Sequence, residues 1–228
     1  EYNFGELLPA SIAGTVYHDA NDDGIIQSSE VGLPNAIVRL ISADGTVTER
    51  QTDALGRYTF TGLMPGTYSV IETTPAGYLD GKDRVGSING QVIGVLDGND
   101  TIRSITLTSG QQGVNYDFGE ILPSSLAGLV YEDVDGDCIR DPGEPAIPSV
   151  TIELLDQAGT VVATTQTDAQ GRYQFTNLRP GTYSVRETQP AGFIQGGQKA
   201  GTVGGDASTP DLIRSIVLGQ GINAEEYN

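Results

Sequence analysis

The chain has 228 residues and a net charge of −18, from 30 acidic and 12 basic side chains. A field of this sign repels nucleic acid and anionic membrane surfaces and attracts divalent cations. We therefore expect no nucleic-acid partner. We also expect no membrane insertion, because no apolar run is long enough to span a bilayer. Cys138 is the only cysteine, which excludes an intrachain disulfide and leaves either an inert loop thiol or an intermolecular crosslink.

Most of the sequence occurs twice. Segments of the two halves match in the same order, with insertions confined to predicted loops: 4–9 with 118–123, 17–24 with 131–138, 53–60 with 168–175, 65–70 with 180–185, and 102–105 with 213–216. This is the pattern of a duplicated domain. It predicts two domains, residues 1–121 and 122–228, each long enough to bury its own core.

Both halves are predicted to be all-β. Apolar residues alternate with a period of two, turn signals such as Asp-Gly and Pro-Gly separate the runs, and helix signals are weak. The pattern favours an Ig-like β-sandwich in each half. In the first half we expect strands near 11–18, 36–42, 47–52, 57–61, 67–73, 102–107 and 113–118, with equivalents in the second.

An acidic loop follows the first predicted strand. A calcium loop of the EF-hand type supplies oxygens from positions 1, 3 and 5, a backbone carbonyl at 7 and a bidentate Glu at 12, so that several oxygens converge on a hard cation. The loop matches this spacing without predicted flanking helices, and its candidate residues are Asp19, Asn21, Asp23, Ile25 and Glu30, with Gln27 at the ninth position and Gly24 at the tight turn.

The second half carries the same loop. Its candidate ligands are Asp133, Asp135, Asp137, Ile139, Asp141 and Glu144. Cys138 stands where Gly is expected, and it should strain the backbone by about 1 kcal/mol if that position is left-handed. Two matches at equivalent positions favour calcium sites, whereas the alternative for each loop is an acidic, solvated turn.

A second acidic cluster is less regular. Asp97, Asn99 and Asp100 lie just before a predicted strand, and Asp206 and Asp211 hold the corresponding places in the second half. Two further carboxylates, at positions 80 and 83, are expected nearby. This cluster is either a further calcium site or an ordinary polar loop, and the sequence leaves both open.

Several motifs accompany the loops: Thr-Asp-x-x-Gly-Arg-Tyr-x-Phe at 52–60, Pro-Gly-Thr-Tyr-Ser-Val at 65–70, Glu-Thr-Thr-Pro-Ala-Gly-Tyr at 72–78 and Asn-Tyr-Asp-Phe-Gly-Glu at 115–120. Together they resemble the B-type repeats of serine–aspartate repeat surface proteins, the SdrD B-like domains of the collagen-adhesin B-type, transthyretin-like group. The resemblance implies two tandem transthyretin-like β-sandwiches that act as calcium-stabilised spacers. It also implies an extracellular location, at a bacterial cell surface or in a secreted filament.

The resemblance also raises the question of an intramolecular isopeptide bond. Pilin relatives use the Glu of a Tyr-x-x-x-Glu-Thr motif to join a Lys of the first strand to an Asn of the last strand. Here the motif remains at Glu72 and Glu187, and Asn115 is a possible acceptor, but the first strands contain no lysine. We expect no such bond, since the amine nucleophile is absent, and interpret both Glu residues as structural carboxylates.

The ends of the chain echo each other. Residues 1–3 and 226–228 both read Glu-Tyr-Asn, as though another copy would follow. We therefore expect an excerpt of a longer array, with neighbouring repeats as partners. Strand exchange between chains is a further hypothesis, in which a terminal strand of one chain completes the sandwich of the next.

These features favour a structural module of a surface stalk, adhesin or filament, with Ca²⁺ as its ligand. The alternative is a module that recognises a host protein or glycan directly, for which Tyr78 and Phe193 are the exposed aromatic candidates. An enzyme is not expected. His18 is the single histidine and has no counterpart in the second half, and paired carboxylates occur only at metal-ligand spacing.

Overall fold

Every regular element of the computed structural model, which describes residues 3–228, is a β-strand. None of the described segments is therefore a helix able to cross a membrane. The chain divides into two units, one ending at Leu122 and the other Pro123–Asn228, next to the predicted boundary between residues 121 and 122. We call them domain 1 and domain 2. The prediction of an all-β pair of sandwiches is confirmed.

Domain 1 contains two facing sheets. The strands in chain order are β1 (Ala10–His18), β2 (Val31–Gly32), β3 (Ile37–Ser42), β4 (Val47–Gln51), β5 (Arg57–Leu63), β6 (Gly66–Thr73), β7 (Leu79–Asp80), β8 (Ser87–Ile88), β9 (Gln91–Val92), β10 (Val95–Leu96), β11 (Thr101–Leu107), β12 (Gln112–Val114) and β13 (Phe118–Ile121). One sheet has the order β7-β13-β1-β12-β8-β9, with β2 and β5 also paired to β1, and the other has the order β10-β11-β6-β3-β4.

The core of domain 1 forms because alternate residues of both sheets point inward. Ile12, Val38, Val70, Ile102 and Phe118 are completely buried within it. β1 is central: it pairs antiparallel with β5, while its other edge pairs in parallel first with β12 and then with β13.

Domain 2 repeats this plan with fewer strands. They are β14 (Ser124–Leu129), β15 (Thr151–Leu155), β16 (Val161–Gln166), β17 (Arg172–Leu178), β18 (Gly181–Glu187), β19 (Asp206–Thr209), β20 (Leu212–Leu218) and β21 (Asn223–Ala224). The sheets are β17-β14-β21 and β16-β15-β18-β20-β19. Their core includes Leu126, Ile152, Leu154 and Ile216.

The predicted strand at 113–118 is interrupted, which corrects the sequence analysis. Asn115 has a left-handed backbone, with a φ of 60°, and separates β12 from β13. The side chain of Asp117 then accepts a hydrogen bond from the N–H of Thr15 at 2.9 Å. Because Asn tolerates the left-handed region better than most residues, the chain can bend here and resume pairing with β1 further along.

Candidate metal centres

The first loop of domain 1 is organised by its first and last carboxylates. Asp19 is fully buried, and its Oδ2 accepts a hydrogen bond from the N–H of Gly24 at 2.7 Å. Glu30 bridges two points of the loop, because Oε1 accepts from the N–H of Ala20 and Oε2 from the N–H of Gln27, both at 2.9 Å. Asp19 and Glu30, the first and last candidate ligands of the loop, thus hold the loop closed.

The loop of domain 2 has the same internal bonds. Asp133 Oδ2 accepts from the N–H of Cys138 at 3.0 Å, in the way that the first Asp of domain 1 accepts from Gly. Glu144 accepts from the N–H of Val134 at 2.8 Å and from the N–H of Asp141 at 2.9 Å. Two loops that differ in sequence therefore adopt one conformation.

The fifth and seventh positions also correspond. Asp23 Oδ1 accepts from the N–H of Ile25 at 2.8 Å, and Asp137 Oδ1 accepts from the N–H of Ile139 at 2.7 Å. Both isoleucine side chains are 54% exposed, so these residues serve the loop through their backbone rather than by packing.

The domain 2 loop gathers more negative charge. Ligand oxygens of Asp133, Asp135 and Glu144 lie within 4.8 Å of one another, and so do those of Asp135, Asp137 and Asp141. The charge of Asp137 is the main cause of a raised pKa at Asp135. Carboxylates held this close repel one another unless a cation lies between them.

In the domain 1 loop, side-chain amides reduce the repulsion between carboxylates. Asn21 and Gln27 stand where domain 2 has Asp, and their side-chain N–H groups donate to Asp23 Oδ2 at 3.0 and 2.7 Å. The hydrogen bond from Gln27 is the main cause of a lowered pKa at Asp23. Of the two loops, only that of domain 2 places three carboxylate oxygens within 4.8 Å of one another, whereas the domain 1 loop is held together by the hydrogen bonds described above.

Two positions of each loop have left-handed backbone, and they are equivalent in the two domains. Glycine occupies the second of them in domain 1 and the first of them in domain 2. Domain 1 has Asp22 with a φ of 52° and Gly24 with a φ of 77°, whereas domain 2 has Gly136 with a φ of 78° and Cys138 with a φ of 61°. The cysteine is therefore in the left-handed region, as the loop spacing indicated. Each loop keeps one residue that bears this strain.

The residue facing the second of these positions changes with it. A Cβ placed on Gly24 would lie 3.3 Å from the Cβ of Lys82. Gly197 is the counterpart of that lysine, because Lys199 and Arg84, two residues further along, make the same reciprocal backbone hydrogen bonds within their own domains. A Cβ placed on Gly197 would collide with the Sγ of Cys138. In domain 1 a glycine of the loop therefore faces a lysine side chain, whereas in domain 2 the side chain of Cys138 in the loop faces a glycine. Cys138 thus has a packing role.

A second acidic group lies inside domain 1. Glu72 at the end of β6, Asp100 before β11 and Glu120 in β13 place ligand oxygens within 4.8 Å of one another, and Asp100 forms a similar group with Asp80 and Asp83. Glu72 is 3% exposed and Glu120 is fully buried, yet none of their four carboxylate oxygens has a hydrogen-bond partner. We call these five residues the acidic core.

The electrostatics of the acidic core favour protons or a cation. Burial is the main cause of the raised pKa values of Glu72 and Glu120, and the neighbouring carboxylates add to it. Burial, with the charges of Asp80 and Asp100, raises the pKa of Asp83 to about 7. Buried oxygens without donors are costly, and a hard divalent cation takes oxygen ligands of this kind, so the residues fit calcium.

The weaker cluster identified in the sequence is divided by the fold. Asp100 joins the acidic core with Asp80 and Asp83, and Asn99 lines the adjoining cavity. Asp97 is instead paired with Arg103 at 2.9 Å on the surface. In domain 2, Asp206 is likewise paired with Arg214, at 2.8 Å. Burial is the main cause of the raised pKa of Glu187, and the charge of Asp211 is the second cause.

Sequence reasoning missed two members of the acidic core. Glu72 was interpreted as a structural carboxylate, and Glu120 was not singled out. A signal existed, because the Phe-Gly-Glu triplet occurs at both 4–6 and 118–120. Nothing in the sequence, however, indicated that oxygens of this glutamate would lie within 4.8 Å of those of a residue in β6 and of Asp100, just before β11.

The single histidine and the two aromatic candidates for recognition lie outside the acidic clusters. The His18 ring lies 6.0 Å from that of Tyr78, which packs against the domain 1 core. Phe193 is 40% exposed and lines a cleft of domain 2. The two aromatic candidates for direct recognition therefore belong to different domains, and only Tyr78 packs against a core.

The sequence matches the family model of the SdrD B-like domain twice, at residues 10–120 and 124–223. Serine-aspartate repeat-containing protein E of Staphylococcus aureus strain Mu50 is 38% identical over 187 residues, which is 80% of this chain and 16% of that protein. The bone sialoprotein-binding protein of strain MRSA252 gives the same identity and coverage. The chain thus corresponds to a small part of these curated relatives.

Solved structures show more distant similarity. GBS52, the minor pilin of Streptococcus agalactiae, is 14% identical with a TM-score of 0.38, and the match covers 97% of each chain. The Bacillus anthracis TIE protein is 18% identical with a TM-score of 0.39, and the match covers 96% of this chain and 34% of that protein.

Proposed function

Because the chain belongs to the SdrD B-like domain family, we propose that it is a structural, calcium-stabilised tandem repeat. It would form part of an extracellular bacterial stalk, adhesin or filament and would have no catalytic role. The observation that carries the proposal is the acidic core, in which Glu72 and Glu120 hold four buried oxygens without donors. The two acidic loops, which share one conformation, support it independently.

Each loop has a defined task in this proposal. When bound, calcium would supply the positive charge that lets converging carboxylates stay ionised. Asp19 and Glu30 hold the domain 1 loop closed through backbone N–H groups, and Asp133 and Glu144 do the same in domain 2. Because only the folded loop brings these oxygens together, ligand binding stabilises the folded state, by about 4 kcal/mol when free calcium exceeds Kd a thousandfold.

The acidic core would add a brace across the sandwich of domain 1. Glu72 comes from β6 in one sheet and Glu120 from β13 in the other. A cation held by both would join the two sheets, as a disulfide does in other secreted domains. Such a brace resists separation of the sheets, which is a property that a spacer under load requires.

Calorimetric titration with calcium, combined with scanning calorimetry in calcium and in EGTA, tests this function. We expect at least one ion per loop and higher unfolding temperatures in calcium. Glu30→Gln and Glu144→Gln should each weaken binding in one domain, and Glu49→Gln, an exposed carboxylate outside the clusters, is the control. Absence of binding, with equal stability in calcium and EGTA, would reduce both loops to acidic turns.

The relatives support the proposed location. They are serine–aspartate repeat proteins of Staphylococcus aureus, and one is named for binding bone sialoprotein. Direct recognition of a host protein or glycan is the alternative for this chain. The positions of Tyr78 and Phe193 do not favour it, since Tyr78 packs against the domain 1 core and Phe193, in the other domain, forms no cluster of exposed aromatic residues with it.

We also propose strand exchange between copies of the chain. In domain 1 all four residues of β13, Phe118–Ile121, are buried in parallel pairing with β1. The similar segment 4–7 contains Phe4, which is 94% exposed. In domain 2 a cleft of about 390 Å³ is lined by apolar residues that include Val130, Tyr173 and Ile213.

Light scattering across a range of protein concentrations tests this exchange. We expect association that increases with concentration and is inhibited by a peptide of residues 1–9. Phe4→Asp should abolish association, whereas Leu55→Asp, at a 60% exposed position, should not. A chain that stays monomeric at high concentration with calcium would contradict the exchange and leave the calcium proposal intact.

A further inference from the structure

Gln198 of domain 2 occupies the position that Asp83 holds in domain 1. The following residues, Lys199 and Arg84, establish the equivalence, because each exchanges a reciprocal pair of backbone hydrogen bonds with the last segment of its own domain. The same alignment places Gln195 opposite Asp80 of the acidic core. Two carboxylates of domain 1 are therefore amides in domain 2.

The side-chain amide of Gln198 lies where three backbone carbonyls converge. Its Nε2 is 2.9 Å from the oxygen of Ala207, 2.6 Å from that of Thr209 and 3.1 Å from that of Leu212. All three neighbours are acceptors, so the NH₂ end must face them. A positive dipole surrounded by oxygens is the arrangement that a hard cation has in a protein site.

At the corresponding place in domain 1 a carboxylate stands where domain 2 has the amide. An ionised carboxylate only accepts hydrogen bonds, and Asp83 Oδ2 accepts one from the N–H of Asp100 at 3.1 Å. A cavity of about 430 Å³ adjoins it, and its lining includes Asp80, Asp83, Leu96 and Gly98 together with Lys82, Arg84 and Asn99. Leu96 and Gly98 are the counterparts of Ala207 and Thr209. Carboxylates and this turn thus surround an open space in domain 1, where domain 2 has an amide.

We infer that the Gln198 amide replaces a cation in domain 2, so that only domain 1 has a calcium site at this position. The inference rests on the proposed binding of calcium by the acidic core. It gives the two repeats different metal stoichiometries and different responses to chelation. Domain 2 retains its loop site but closes the turn between β19 and β20 without metal.

Reciprocal substitution tests the inference by calcium stoichiometry. Asp80→Gln with Asp83→Gln should lose binding in domain 1, and Gln195→Asp with Gln198→Asp should gain one ion per chain in domain 2. The gain variant should also show a domain 2 unfolding temperature that depends on calcium. Gln157→Asp with Gln174→Asp is the control, because it adds the same charge at exposed positions of the same domain.

A second measurement covers the case in which the gain variant does not fold. In Glu144→Gln, which removes the proposed calcium dependence of the domain 2 loop, ¹⁵N-edited NMR should show side-chain amide protons of Gln198 that exchange slowly and equally in calcium and in EGTA. Calcium-dependent exchange of these protons, or a folded gain variant without an additional ion, would overturn the inference while leaving calcium binding by domain 1 intact. A wild-type chain that binds no calcium would instead refute the proposed function.

Discussion

Substitution of Glu72 by Gln tests whether this side chain is a metal ligand or only packs in the core. Glu72 is 3% exposed, and neither carboxylate oxygen has a hydrogen-bond partner. Burial, followed by the charge of Asp100, raises its pKa well above the usual range, which favours the protonated form in the absence of metal. Gln has nearly the same shape and no charge. We therefore expect Glu72→Gln to change the stability of the calcium-free protein by less than about 1 kcal/mol.

In calcium the same substitution should be costly. The ligand oxygens of Glu72, Asp100 and Glu120 lie within 4.8 Å of one another. At an effective dielectric constant of about 20, two unit charges at such a distance interact by about 3 kcal/mol. A cation offsets this repulsion and adds attraction of similar size for each ionised ligand. We expect a loss of about 3 kcal/mol in domain 1, or an unfolding temperature lower by roughly 12–24 °C.

Scanning calorimetry in calcium and in EGTA measures both states. Glu187→Gln is the matched control, because Glu187 holds the position of Glu72 in domain 2, where Gln198 replaces one of the acidic-core carboxylates. It should have a small effect in both conditions. Equal destabilisation by Glu72→Gln in calcium and in EGTA would show that the side chain only packs, and the argument from the acidic core would then be wrong.

Three further predictions concern pH, the loop backbone and the core. Burial is the main cause of pKa values of about 7 at Asp83 and at Glu187, so the folded chain binds more protons than the unfolded chain between about pH 4 and pH 7. Stability in EGTA should therefore fall as pH rises through this window, and a rise on denaturant titration would contradict the shifts. Gly24→Ala should cost about 1–2 kcal/mol at a φ of 77°, seen as a lower unfolding midpoint. Tyr173→Phe removes a buried 2.7 Å hydrogen bond to the carbonyl of Tyr227 and should cost about 1–3 kcal/mol in urea unfolding, whereas an unchanged midpoint would show that the carbonyl finds another donor.

The predicted strands show what local patterns determine. Alternation of apolar residues placed β3, β5 and β6 within a few residues, because the inward face of a strand repeats every second residue. The break at Asn115 was missed, since a single left-handed residue leaves no periodic signal. Short strands such as β7 and β8 were also missed, because two residues are too few to form a pattern.

The sequence by itself determined the duplication, the β-sandwich class and the two loops, because each depends on residues that are close in the chain. Asp19 and Glu30, for example, belong to one loop, and the spacing of its acidic residues can be read from the sequence alone. Only the tertiary structure assembled the acidic core, since Glu72, Asp100 and Glu120 lie far apart in sequence and meet where two sheets face each other. It also decided the role of Gln198, because the carbonyls that its amide joins converge only in the folded turn.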